Sequence, residues 1–166
     1  MGIYVVTGVA SGIGAAIAQQ LSSEGHQIIG LDIQEADIVA DLASAEGRDS
    51  AIAAIKEATA GGFDGLITCA GLGSHVPNKA LITSVNYFGS VDLIDGLREH
   101  LATHQAAVLI ISSNSAPMAT NPEFVASLLD HDSAQAIAIA QQMDGQQVYS
   151  GTKQALAVWM RRNTAS

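Results

Sequence analysis

Short apolar runs and helical apolar patterns take turns along this chain. Ile3 to Val6 is an apolar run, and Ile13, Ile17 and Leu21 then recur at helical spacing until Glu24-Gly25-His26. A second run, Gln27-Ile28-Ile29-Gly30-Leu31, ends in Asp32. Ile38-Val39-Ala40 reads as a third strand, after a link shorter than a helical crossover normally needs. Either a tight loop reaches it or it is barely a strand. A helix is expected over about 43–60, stopped by Gly61-Gly62, and Leu66-Ile67-Thr68-Cys69 forms a buried fourth strand. Beyond Pro77, Leu81, Val85, Phe88, Val91 and Ile94 mark one face of a single helix. Ala107 to Ile111 is the fifth strand and reads as the best formed. Residues 117–145 are an insertion with helical character over 122–129 and 133–143, and a last helix beginning near Tyr149 carries Leu156 and Met160. Alternation of this kind predicts an α/β fold, a Rossmann-type doubly wound parallel sheet, in one domain over 1–166. No internal repeat or low-complexity segment interrupts it.

The first strand leads into Thr7-Gly8-Val9-Ala10-Ser11-Gly12-Ile13-Gly14 and then directly into a helix. Strand, glycine loop and helix together bring a pyrophosphate onto backbone N–H groups at a helix N-terminus. Gly8 permits the turn out of the strand, Gly12 lets phosphates approach the backbone, and Gly14 lets the helix pack close to the sheet. The spacing is G-x-x-x-G-x-G, not the commoner G-x-G-x-x-G. Asp32 follows about twenty residues on, where a carboxylate accepts hydrogen bonds from a ribose 2′-OH and repels a 2′-phosphate. Ile33 and Gln34 come next, with no Arg or Lys nearby. NAD is therefore expected over NADP.

Composition narrows the partners. The 166 residues are 48% hydrophobic and 14% charged, and 7 basic against 16 acidic residues give a net charge of -9. With no basic patch, neither nucleic acid nor an anionic membrane is an expected partner. Cys69 is the single cysteine, so no internal disulfide can form, and a reducing compartment fits. No signal-peptide pattern and no bilayer-length apolar run are seen, and a cytoplasmic protein is the default. His26, His75, His100, His104 and His131 show no paired metal-ligand spacing. His100 and His104, four apart near a helix end, read as solvated histidines rather than a metal site. No G-x-S-x-G elbow suggests a hydrolase.

Ligands of an open parallel sheet bind outside the carboxyl ends of its strands. Ser112-Ser113 closes strand five there, Tyr149-Ser150-Gly151-Thr152-Lys153 opens the last helix, and Asn86 lies on the helix after strand four. Tyr149 and Lys153 are four apart and share a helix face. A free phenol is a poor base near neutrality. A neighbouring ammonium and an oxidised nicotinamide stabilise the phenolate, allowing it to exchange a proton with an alcohol as hydride moves. Taken alone, a Tyr and Lys at this spacing are more often ordinary helix surface.

In order along the chain, the glycine loop, Asp32, Ala70-Gly71, Asn86, Ser113 and Tyr149-x-x-x-Lys153 resemble the short-chain dehydrogenases/reductases over essentially the whole length. Gly25-His26-Gln27-Ile28, Ala40-Asp41-Leu42, Cys69-Ala70-Gly71-Leu72-Gly73, Ser84-Val85-Asn86-Tyr87-Phe88-Gly89 and the long stretch from Ser113 to Tyr149 are similar to the bacterial 3α-hydroxysteroid dehydrogenase/carbonyl reductase branch. The resemblance implies that Thr7, Gly8, Ser11, Gly12, Ile13 and Gly14 hold the pyrophosphate. It places Asp32 and Ile33 at the adenosine ribose and Asp41 and Leu42 at the adenine, Asp41 accepting from the adenine amino group. Ala70 and Gly71 run along the cofactor ribose, with Cys69 before them also counted among the cofactor-binding residues. Ser113, rather than Ser112, orients the substrate, and Tyr149 is the acid/base. Lys153 supports the phenolate and binds the nicotinamide ribose, and Asn86 holds a water that relays protons to Lys153. The implied protein is a homo-oligomer, dimer or tetramer, that interconverts a secondary alcohol with a ketone or aldehyde, a 3α-hydroxysteroid or another apolar carbonyl.

Two departures from the family pattern stand out. Cys69 replaces the usual Asn of an N-A-G motif and reads as a small buried residue supporting its strand. The family also continues beyond the helix carrying Lys153 into two more strands, a Pro-Gly loop and a substrate-covering loop. A chain ending at Ser166 is expected to be C-terminally incomplete, with strand five an open edge and weak or no turnover from these residues alone. A non-catalytic dinucleotide-binding fragment or regulatory module is the competing expectation. Within the insertion, Met118 and Met143 suit an adaptable apolar contact, in a pocket wall or a subunit interface.

Overall fold

A computed structural model describes residues 1–164 of the chain, which divide into two compact units. The first comprises 1–70 and 92–111, the second 71–91 and the residues from Ser112 on.

The first unit is built on a parallel sheet of five strands: β1 (Ile3–Thr7), β2 (Gln27–Asp32), β3 (Ile38–Val39), β4 (Gly65–Thr68) and β5 (Ala107–Ile110), in the order β3-β2-β1-β4-β5. That order reverses between β1 and β4, the switch point of a doubly wound sheet. Val5, Val6, Leu31 and Leu66 are fully buried. Adjacent Val5 and Val6 point to opposite faces, so β1 is covered on both, as parallel strands require. Helices α1 (Gly12–Ser23) and α2 (Ala45–Ala58) return the chain to the sheet, with α1 packing on β1 and β2 and α2 on β3.

The short link to strand three is a tight loop. Residues 33–37 suffice because β3 pairs only with the last two residues of β2, Leu31 with Ile38 and Asp32 with Val39, so the chain need not travel back along β2. Asp37 fastens the loop by accepting the Gly30 N–H at 2.7 Å. Strand five is not the best-formed strand; four residues long, it is shorter than β1 and β2. Its apolar side chains lie open, Val108 41% and Leu109 51% exposed.

The two histidines are not simply solvated. His100 stacks on Phe63 with centroids 5.3 Å apart, and its ring lies 4.7 Å from that of His104. Thr59 Oγ1 donates to the Ile55 carbonyl and sits 2.7 Å from His100 Nε2, so it accepts the imidazole N–H. Burial, then His104, then Lys56 hold the His100 pKa below its usual 6.5. The unfolded chain therefore binds the proton first as pH falls. Stability from this cluster is complete above about pH 6.5 and declines as pH drops through the interval below it. Thermal unfolding followed from about pH 8 to about pH 5 is expected to show that decline, and His100→Gln to flatten it. An equal slope in the variant would assign the decline to other groups.

The second unit is helical: α3 (Lys79–Thr83), a π-helical turn over Ser84–Phe88, α5 (Pro122–Leu129), α6 (Ser133–Ala140) and α7 (Gly145–Asn163). Helix α4 (Gly89–His104) continues from the π turn. Phe124 and Leu128 of α5 and Leu156 of α7 are fully buried, and α5 packs on both α6 and α7. Met143 is buried in this unit, which removes it as a surface contact, whereas Met118 is 49% exposed. No described helix is long and apolar enough to cross a membrane.

Candidate active site

In the first unit, the turn after β1 is set by backbone contacts. Gly8 has φ 75°, and a Cβ there would lie 2.9 Å from the Ala70 backbone. Thr7 Oγ1 accepts the N–H groups of Cys69 and Ala70 at 3.0 and 2.9 Å, tying the end of β4 to the end of β1. Both lone pairs of the Thr7 hydroxyl are thus used at this junction of the sheet. Cys69 is half-buried and serves the same junction through its backbone.

The start of α1 differs from those of five other helices. Ser44, Asn78, Asn121, Asp132 and Asp144 each cap a helix by accepting a backbone N–H, whereas Ser11 makes no such bond. The first turn of α1 carries no acidic residue, and a Cβ on Gly12 would meet nothing within 4 Å. Uncapped N–H groups, a positive helix end and open space over a glycine fit a dinucleotide pyrophosphate. Asp32 is aimed by two bonds, Oδ2 accepting from Ala10 N at 2.9 Å and Oδ1 from Ile33 N at 2.7 Å. Each oxygen keeps a lone pair suited to a ribose hydroxyl. Ile33 is 61% exposed. Asp41 is exposed and accepts the Ala43 N–H, while Leu42 is buried and its carbonyl accepts from Arg48, so the two differ in what they can offer an adenine.

The second unit holds Asn86, Ser113, Tyr149 and Lys153. Tyr149 lies in the second turn of α7, not at its opening, because the helix starts at Gly145 with Asp144 accepting the Gln147 N–H at 2.8 Å. Lys153 is buried, 6% exposed, and its Nζ stands 5.9 Å from the Tyr149 ring centroid, within cation–π range. Ser112 donates to the Lys153 carbonyl at 3.0 Å and so braces the helix. Ser113 Oγ accepts the Ser115 N–H at 3.1 Å and remains half-buried. Ser113 Oγ also donates to Asn114 Oδ1 at 3.4 Å, so Ser112 is bonded to α7 while Ser113 is bonded within its own turn.

Asn86 sits in the π turn, where a wider helical turn loosens the regular carbonyl ladder. Its amide clamps one residue at both ends, Oδ1 accepting Leu72 N at 2.7 Å and Nδ2 donating to Leu72 O at 3.0 Å. The side chain therefore holds the loop that begins at the exposed Gly71. Sequence reasoning passed over Ser112, Thr152 and Leu72 as supports. Thr152 Oγ1 lies 3.5 Å from Asn86 Nδ2, and its place within Tyr149-x-x-x-Lys153 was the available signal. Among the described residues, no three His, Cys, Asp or Glu side chains gather as metal ligands would.

The chain is 41% identical over its whole length to the 3-alpha-hydroxysteroid dehydrogenase/carbonyl reductase of Comamonas testosteroni, covering 67% of that protein. The solved 3-alpha-hydroxysteroid dehydrogenase from Pseudomonas sp. B-0831, complexed with NADH, matches with a TM-score of 0.93 and 41% identity, over 98% of this chain and 66% of that one. The coniferyl-alcohol dehydrogenase of Pseudomonas sp. (strain HR199 / DSM 7063) is 43% identical over 94 residues, 51% of this chain and 34% of that protein. This chain thus spans about two thirds of the length of the hydroxysteroid relatives. The short chain dehydrogenase family matches residues 3–127. From the glycine loop to the Tyr-Lys helix, then, the chain belongs to the short chain dehydrogenase family.

Proposed function

We propose that the chain serves an NAD(H)-dependent interconversion of a secondary alcohol and a ketone or aldehyde, with a 3α-hydroxysteroid or another apolar carbonyl compound as substrate. The observation that carries this is the buried Lys153 ammonium held 5.9 Å from the Tyr149 ring centroid on one helix. A nicotinamide dinucleotide, when bound, supplies or accepts the hydride. The first unit binds it, through the uncapped start of α1 for phosphate and Asp32 for ribose. In the second unit, the Ser113 hydroxyl donates to the substrate oxygen and fixes it. Tyr149 gives its proton to that oxygen in reduction and takes it back in oxidation. Lys153 favours the phenolate through its charge. Asn86 holds a water that relays protons to Lys153.

Both hydroxysteroid relatives support the substrate class by their names, and the NADH of the solved relative supports the cofactor. Fluorescence titration with NADH, run beside NADH oxidation with a panel of ketones, tests the assignment. Saturable binding with ketone-dependent oxidation is expected. Binding without oxidation for any ketone would leave a dinucleotide-binding module instead.

A further inference from the structure

We infer that Met118 is a specificity contact, touching the ring system of a bulky, polycyclic alcohol or ketone beside Tyr149; this rests on the alcohol/carbonyl function proposed above. Met118 belongs to the irregular segment between Ser113 and α5. Two turns compact it, Ala116 N–H donating to the Ser113 carbonyl and Met118 N–H to that of Ser115. Three contacts fasten it to α7. Gln154 Nε2 donates to the Ala116 carbonyl at 3.1 Å, Thr120 Oγ1 to the Gln147 carbonyl at 2.8 Å, and Gln146 Nε2 lies 3.9 Å from the Met118 sulfur. The Gln146 amide is itself oriented, since it also donates to Ser150 Oγ at 3.1 Å. Met118 is therefore an apolar side chain left 49% exposed yet held in place by its sulfur.

Its position decides what it can touch. Gln146 precedes Tyr149 by three residues, so the two share a face of α7 and are offset by about 4.5 Å along its axis. A molecule whose oxygen meets the Tyr149 phenol and whose body reaches one turn toward the start of α7 runs into Met118. A small ketone ends short of it. A thioether on an unbranched stem conforms to a curved ring face better than a branched aliphatic does.

The test uses the whole chain labelled with ¹³C at the methionine methyls, of which there are four, Met1, Met118, Met143 and Met160. Met118→Leu assigns its resonance. With NADH present, a four-ring ketone is expected to shift the Met118 methyl, and cyclohexanone to leave it unmoved. In steady-state assays, Met118→Ala is expected to raise KM for the four-ring ketone about tenfold, with kcat and the cyclohexanone KM within about twofold. Gln146→Ala, which frees the thioether without removing it, is expected to give a smaller rise in the same KM alone. A Met118 methyl unmoved by the four-ring ketone overturns the contact whether or not the protein turns over. A shifted methyl with no NADH oxidation keeps the contact and removes the oxidoreductase function. Oxidation that proceeds with unchanged size preference in Met118→Ala overturns the contact and keeps the function.

Discussion

Replacing Tyr149 by phenylalanine in the complete protein is expected to lower ketone-dependent NADH oxidation about a thousandfold, while the NADH dissociation constant stays within about twofold. The substitution removes one oxygen and keeps the ring. The half-buried ring retains its packing, and the Lys153 ammonium retains an aromatic neighbour at 5.9 Å. Lost is the phenol hydroxyl, the group proposed to exchange a proton with the substrate oxygen. On the proposed assignment, dinucleotide affinity comes mainly from the glycine loop and Asp32, which the change does not touch. Steady-state rates and a fluorescence titration on the same preparation separate the two effects. Turnover within tenfold of the parent would take the proton-transfer role away from Tyr149.

Features defined by local chemistry were legible in the sequence. The glycine loop, Asp32 and the Ser112-Ser113 pair are each short, and each sits where an apolar run meets a polar one. Strand β3 was legible only as an alternative, because a two-residue pairing leaves no periodicity to read. The π turn was invisible for another reason. Leu81, Val85, Phe88, Val91 and Ile94 keep helical spacing, and one widened turn shifts the apolar face too little for a pattern to register it. That turn holds Asn86, so the most informative irregularity of the second unit lay under a regular pattern.

The start of α7 shows a signal present but unread. Asp144 followed by Gln147 three residues later has the form of a capping pair, and Asp144 does accept the Gln147 N–H. Gly145, read as the end of the insertion, is the first residue of the helix and allows close approach, since a Cβ there would land on the Ser74 carbonyl oxygen. The histidines failed in the opposite direction. Polar neighbours in sequence suggested solvent, but Phe63, distant in sequence and near in space, stacks on His100 and meets His104 edge-on. Nothing in one helix's own sequence could announce it.

Alanine at Gly14 and alanine at Gly12 are expected to fail in different ways. At Gly14 a new Cβ would land on the Gly8 carbonyl oxygen, with Gly8 C and Thr7 O at 2.7 and 2.9 Å. All of these are backbone atoms of the β1–α1 turn and cannot rotate aside, so α1 must lift from the sheet. A loss of about 1–3 kcal/mol of stability should accompany an NADH dissociation constant raised tenfold or more. At Gly12 a Cβ meets nothing within 4 Å, and the cost is the strain of a φ of 57° alone, about 1 kcal/mol. That open space is where phosphate oxygens are proposed to approach the helix start, so a methyl there should weaken NADH binding well beyond its effect on stability. Denaturant unfolding and NADH titration of both variants give the comparison directly. If Gly12→Ala bound NADH as the parent does, the pyrophosphate could not lie over the start of α1, because a methyl and a phosphate oxygen cannot share that space.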